Sequence, residues 1–179
     1  MHVILTGERQ VGKSTLCRKI ADTLKTEGFH VGGVWTETIV HGRERTLMAH
    51  DLGTGSAILL AGTAAEGTGP KQGPYTFTHE GIFAGIRAIG NGMKADLLVV
   101  DEIGPLEMRQ QGFFPVLHTI SRTRHSLLVI RPGLLDDALI RLRLGHDFEV
   151  IPVVPAHRDE LCEYLTARFI DAFGGDERT

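Results

Sequence analysis

The sequence predicts an α/β domain in three layers, with a mostly parallel central sheet between helices and an antiparallel hairpin added to it. Three observations carry that prediction. The short apolar runs Val3-Ile4-Leu5, Leu97-Leu98-Val99-Val100 and Leu127-Leu128-Val129-Ile130 read as strands buried on both faces. Segments with apolar residues at helical spacing fall between them. At 179 residues, with 42% hydrophobic and 23% charged side chains, the chain suits one domain, residues 1–179, and a disordered polymer is excluded.

The elements follow in order. After Val3-Ile4-Leu5 comes a helix from about Lys13, with Leu16, Ile20 and Leu24 on one face and Gly28 as its stop. Val31 to Glu37 with Ile39-Val40, a Gly42-Arg43-Glu44 turn and Thr46 to Leu52 read as an antiparallel hairpin, because the break is too short for a crossover helix. Residues 62–74 hold four Gly and two Pro in thirteen positions, which predicts a loop without regular structure, either a lid or disordered. A helix carrying Ile82, Ile86 and Ile89 follows; close packing against a neighbour would account for Gly81, Gly85 and Gly90 in it. Beyond the Leu97 strand the pattern predicts a helix over Phe113–Thr123, the Leu127 strand, a helix over Leu134–Leu144, and a strand over Glu149–Val154. A closing helix over Asp159–Phe173 is expected to end at Gly174-Gly175, with a frayed tail at 176–179.

Composition narrows the function classes. Lys and Arg number 19 against 22 Asp and Glu, a net charge of −3, which argues against a nucleic-acid binder held by bulk positive charge. Two cysteines, Cys17 and Cys162, are too few for a disulfide framework or a zinc site and suit a reducing cytoplasm. The N-terminus lacks the pattern of a signal peptide, and no apolar stretch approaches the ~20 residues of a membrane helix, so no membrane partner is expected.

The chemistry sits in Gly7-Glu8-Arg9-Gln10-Val11-Gly12-Lys13-Ser14, which fits G-x-x-x-x-G-K-[ST] between a predicted strand and a predicted helix. Such a loop turns consecutive backbone N–H groups inward onto an anion, and glycine at Gly7 and Gly12 permits the close approach. The helix that follows adds its unpaired N–H groups and the positive end of its dipole. Lys13 would place a charge on the β- and γ-phosphate oxygens, Ser14 would bind Mg²⁺, and Thr15 would face the α-phosphate or support the backbone. Residues 7–15 are thus the candidate nucleotide-binding loop, with a nucleoside triphosphate as substrate and Mg²⁺ as cofactor. Arg9 stands either toward substrate or as a solvated tip.

A metal acid is expected at the end of a buried strand, and Leu97-Leu98-Val99-Val100-Asp101-Glu102 supplies it. Asp101 would hold the ion. Glu102 points elsewhere, since successive strand side chains diverge, and can orient or deprotonate a water. That carboxylate, together with a candidate lid that carries Lys71 but no Arg, favours hydrolysis over transfer to an acceptor. A small-molecule kinase and a slow nucleotide-dependent switch or adaptor stand as alternatives.

Asp101-Glu102-Ile103-Gly104-Pro105-Leu106-Glu107-Met108 resembles the DEIG-x-ME-[LM] signature of a small P-loop nucleoside triphosphatase family found in thermophilic archaea and bacteria, to which a human cancer-related nucleoside triphosphatase belongs. Gly33-Val34-Trp35-Thr36-Glu37, Gly42-Arg43-Glu44-Arg45, Pro74-Tyr75-Thr76-Phe77 and His157-Arg158-Asp159-Glu160-Leu161 resemble further family segments across nearly the whole chain. Gln10, Leu106 and His157 depart from it, standing where members carry Gly, Met and Asn. The resemblance implies a RecA-like P-loop fold, with another strand between the first strand and the Asp101 strand, and Mg²⁺-dependent hydrolysis of several nucleoside triphosphates. By position it implies Lys13 and Ser14 at phosphate and metal, Asp101 at metal and Glu102 as base.

Other residues have two readings each. Arg131, at the carboxyl end of the Leu127 strand, would stabilise transition-state charge or pair with an acid. Arg158 would contact base or ribose, or form a salt bridge. Glu107 would orient Arg or metal waters, or start a helix. Trp35 and Phe77 would stack on a base or join the core. The histidines lack zinc-site spacing, and His41 and His50 could meet only across the hairpin.

Overall fold

The computed structural model describes residues 1–64, 69–145 and 147–176. Among these, nine strands form one sheet in the order β5-β6-β4-β3-β2-β7-β8-β1-β9. They are β1 (His2–Thr6), β2 (Val31–His41), β3 (Glu44–Asp51), β4 (Ala57–Gly62), β5 (Lys71–Gln72), β6 (Tyr75–Phe77), β7 (Leu97–Ile103), β8 (Ser126–Ile130) and β9 (Phe148–Pro152). The helices are α1 (Lys13–Thr26), α2 (His79–Gly92), α3 (Pro105–Met108), α4 (Phe114–Leu117), α5 (Leu135–Arg141) and α6 (Arg158–Asp176).

The parallel half comprises β2, β7, β8, β1 and β9. Its apolar strands are buried on both faces, which explains the unbroken hydrophobic runs. Val3, Leu5, Val99, Leu127 and Val129 pack under α1 and α6 with Leu16, Ile20, Leu24, Leu165 and Phe169. Ile4, Leu98, Val100, Leu128 and Ile130 pack on the opposite side against Ile82, Ile89, Phe113 and Leu117. The three layers are therefore present, and β8 lies between β1 and β7, as the family resemblance implied.

The antiparallel half is larger than the expected single hairpin. β2 pairs in parallel with β7 over Val31–Val34 and antiparallel with β3 over Val34–His41, turning at Gly42. β4 then adds to β3, β6 to β4 and β5 to β6. The expectation that 62–74 lacks regular structure is corrected by β5. Gly73, at φ 58°, turns the chain so that Lys71 and Gln72 face Thr76 and Tyr75. Arg109 fastens this turn, donating to Gln72 Oε1 at 2.8 Å and to the Lys71 carbonyl at 3.2 Å. Residues 65–68 of that segment lie outside the described residues.

Other corrections have local causes. The expected Phe113–Thr123 helix is the single turn α4 followed by a 3-10 turn at Ile120–Arg122. Pro115 has no N–H and fits only a first helical turn, and the Thr119 and Thr123 hydroxyls donate to the carbonyls three residues back, at 2.7 and 2.8 Å. The Leu134–Leu144 helix is shortened to α5 behind a 3-10 turn at Pro132–Leu134, and the last strand starts at Phe148 and ends at Pro152. Gly174-Gly175 does not stop α6, which runs to Asp176; residues 177–179 lie outside the described ones.

Three of the four glycines in α2 are explained by packing, Gly92 because a β-carbon there would sit 2.5 Å from the Gly33 amide nitrogen. A β-carbon at Gly81 would sit 2.3 Å from the Leu59 carbonyl oxygen, and one at Gly85 would sit 2.2 Å from Phe113 Cε1. Gly90 faces open space, so packing does not account for it.

Candidate active site

The loop between β1 and α1 is shaped by left-handed residues. Gly7, Gln10 and Gly12 have φ of 145°, 63° and 94°. Gln10, which stands where family members carry glycine, takes a conformation that glycine adopts without steric cost. Glu8, Arg9 and Gln10 form an exposed tip, while Val11 packs onto the α1–α6 core. The first turn of α1 carries no side-chain cap and no acid, which leaves its N–H groups and dipole open to an anion. Thr15 is exposed in that first turn.

Lys13 is 8% exposed, and its ammonium donates to the carbonyls of Gly7 and Glu8, both at 2.6 Å. Burial lowers its pKa; the charge of Glu102 opposes that shift and that of Arg131 adds to it, so these groups share one electrostatic environment.

Ser14 and Asp101 meet although 87 residues separate them: the Ser14 hydroxyl donates to Asp101 Oδ1 at 3.0 Å. Asp101 Oδ2 accepts from the Thr36 amide and hydroxyl, both at 3.3 Å. The Asp101 side chain is fully buried. Burial pushes its carboxyl up to about 7, with Glu102 adding in the same direction against the Thr36 and Ser14 hydrogen bonds. A hydroxyl beside a desolvated carboxylate is the oxygen donor set that Mg²⁺ takes from protein when phosphates and waters complete its shell. Among the described residues no group of three His, Cys, Asp or Glu could hold a metal, so a zinc-type site is not built there. His50 stands opposite Trp35 and bonds Glu37 at 3.0 Å, so it does not meet His41, which stands opposite Glu44.

The β7–β8 pairing shifts register between Val100 and Ile103, the stretch that holds the two acids. Glu102 is 30% exposed and pairs with Arg131 Nε at the end of β8. Arg131 thus meets an acid, and that acid is the expected base.

Sequence reasoning left open or missed several contacts. Glu107 is buried and accepts from the Gly104 and Phe113 amides at 2.8 and 3.0 Å, so it closes the loop after β7 rather than facing the site. Trp35 is core, wedged between His50 and the Arg18 guanidinium, and its Nε1 donates to the Ser14 carbonyl at 2.8 Å. Thr36, which donates two hydrogen bonds to Asp101, was visible only as part of a family-like strand.

A family model described as NTPase matches residues 2–166. The chain belongs to this NTPase family. It is 33% identical over 178 residues to the nucleoside-triphosphatase THEP1 of Methanosarcina acetivorans, covering 97% of this chain and 99% of that one. It is 34% identical to the nucleoside-triphosphatase THEP1 of Methanopyrus kandleri, over 95% and 96% of the two chains. Among solved structures, THEP1 from the hyperthermophile Aquifex aeolicus shares the fold at TM-score 0.71 and 20% identity, over 92% of this chain and 96% of that one. A human cancer-related nucleoside triphosphatase also superimposes at TM-score 0.71, with 26% identity over 93% and 95%. For this NTPase family member, no helix among the described residues is long and apolar enough to cross a membrane.

Proposed function

We propose that the whole chain acts as one RecA-like P-loop domain that hydrolyses ATP, GTP and other nucleoside triphosphates to the diphosphate and phosphate, with Mg²⁺, in a cytoplasmic setting that its two free thiols suit. The Ser14–Asp101 hydrogen bond carries the reading, because it joins the loop hydroxyl to the buried strand acid that such chemistry requires. Residues 7–15 bind the triphosphate through main-chain amides and the start of α1. Lys13 exchanges the Gly7 and Glu8 carbonyls for β- and γ-phosphate oxygens. Ser14 and Asp101 would hold Mg²⁺, which when bound neutralises charge on those oxygens.

Glu102 orients a water for in-line attack and takes its proton as the new bond to the γ-phosphorus forms and the bond to the β–γ bridging oxygen breaks. Arg131, already beside Glu102, stabilises the charge on the γ-phosphoryl oxygens.

The test is phosphate release from each nucleoside triphosphate with Mg²⁺ and no acceptor added. Steady release that chelation of Mg²⁺ abolishes supports the reading. Release only with an acceptor would make the chain a kinase, and slow release quickened by a protein would make it a switch.

A further inference from the structure

We propose that Arg158 is the nucleoside-recognising residue of this site, its guanidinium forming a plane on which the base stacks without selecting among bases. The inference rests on the phosphate-loop reading above and extends it to the other end of the substrate.

Direction comes from the sheet. Asp101 lies toward the carboxyl end of β7, two strands from β1 on one side, and β9 borders β1 on the other. A triphosphate held by the loop after β1, with its metal-binding end toward Asp101, directs its nucleoside toward the segment that follows β9. That segment runs against the loop. Val153 donates its amide to the Thr6 carbonyl at 2.7 Å, and a β-carbon at Gly7 would lie 3.0 Å from the Val153 carbonyl oxygen.

Arg158, the first residue of α6, lies directly on the loop. A β-carbon at Gly12 would come within 2.8 Å of Arg158 Nη1 and 2.9 Å of its Cδ. Its Nε is buried and makes no hydrogen bond among the described residues. Its one ion pair there is a 3.8 Å contact with Asp159 Oδ1, an oxygen that Lys19 already holds at 2.9 Å. A guanidinium two-thirds covered, resting on the phosphate loop and without a close acceptor among the described residues, has bonding capacity left for a nucleotide.

The surroundings favour the base over the phosphates. Val154 is 49% exposed and Pro155 and Ala156 are exposed, an apolar strip just before Arg158 that suits the face or edge of a ring. His157, the neighbour able to read a base edge, is turned to Glu160 at 3.2 Å. Stacking on guanidinium is indifferent to a base's hydrogen-bonding pattern, so this arrangement accepts purines and pyrimidines alike.

The experiment compares the full chain with Arg158→Ala and Arg158→Lys, using ATP, GTP, CTP and UTP as substrates and inorganic tripolyphosphate, with Mg²⁺, as a base-free competitor. Expected is a KM raised about tenfold for all four nucleotides in both variants, with kcat within a few-fold and tripolyphosphate inhibition unchanged. Lysine keeps charge and stem but not the plane, so Arg158→Lys reads the stacking even if Arg158→Ala fails to fold. Equal weakening of tripolyphosphate would assign the guanidinium to phosphate and overturn the proposal, as would a normal KM in Arg158→Lys. Parent protein that binds neither nucleotide nor tripolyphosphate would remove the phosphate-loop reading itself, whereas tripolyphosphate binding with altered nucleotide behaviour bears on Arg158 alone.

Discussion

Arg131 and Glu102 face each other across the ends of neighbouring strands, joined from Nε to Oε1. The pair sets the acid proposed to activate water against an arginine, within the electrostatic reach of Lys13. A loop with α1 open at its N-terminus, a buried acid reached by its serine, and this pair make up the working end of the sheet.

Replacing Glu102 with Gln keeps the Ser14–Asp101 contact and removes the proton acceptor. Glu102→Gln is expected to bind a magnesium-complexed triphosphate as the parent does while kcat falls roughly 10²–10⁴-fold. A kcat within a few-fold of the parent would remove Glu102 from the reaction.

On the proposed mechanism, Arg131→Ala removes a cation that serves the transition state more than the bound substrate. Steady-state kinetics should show kcat reduced roughly 10²–10³-fold with KM little changed. A kcat equal to or above the parent's would mean that Arg131 only restrains Glu102.

Asp101 gives the fold a pH dependence of definite sign. Burial raises its carboxyl from the ordinary 3.8 to about 7, so the folded chain holds this proton more tightly than the unfolded chain. Its contribution to stability is full below the unfolded value and is lost as pH rises through about 7. Urea unfolding at about pH 5 and about pH 8 should show the parent losing stability relative to Asp101→Asn, by about 2–3 kcal/mol. Parallel pH profiles for the two proteins would contradict this.

Helix α2 offers a packing test. Gly85→Ala drives a methyl group into the Phe113 ring and should cost about 1–3 kcal/mol. Gly90→Ala meets nothing within 4 Å and should add about 0.5–1 kcal/mol through helix propensity. Thermal unfolding separates the two, and a shift of the same sign in both would refute the packing argument.

Much of this was legible in the residues. The buried strands announce themselves because both faces are apolar, and the phosphate loop because its glycines and lysine answer to one geometry. The short antiparallel strands were not, since β5 and β6 draw their pairing from Gly73 and Arg109 rather than from any hydrophobic run. A glycine pair proved no barrier to α6, where the propensity cost is about 1 kcal/mol each. In the site, Asp101 and Glu102 are readable as acids at a strand end. Their partners Thr36 and Arg131 come from other strands, and only the sheet order brings them near.

The most direct test is calorimetric titration of the parent and of Lys13→Ala with a magnesium-complexed, non-hydrolysable nucleoside triphosphate. The account predicts uptake of about one equivalent by the parent and none by the variant, because Lys13 and the amides around it form the phosphate cradle. No uptake by folded parent, or undiminished uptake by Lys13→Ala, would contradict it.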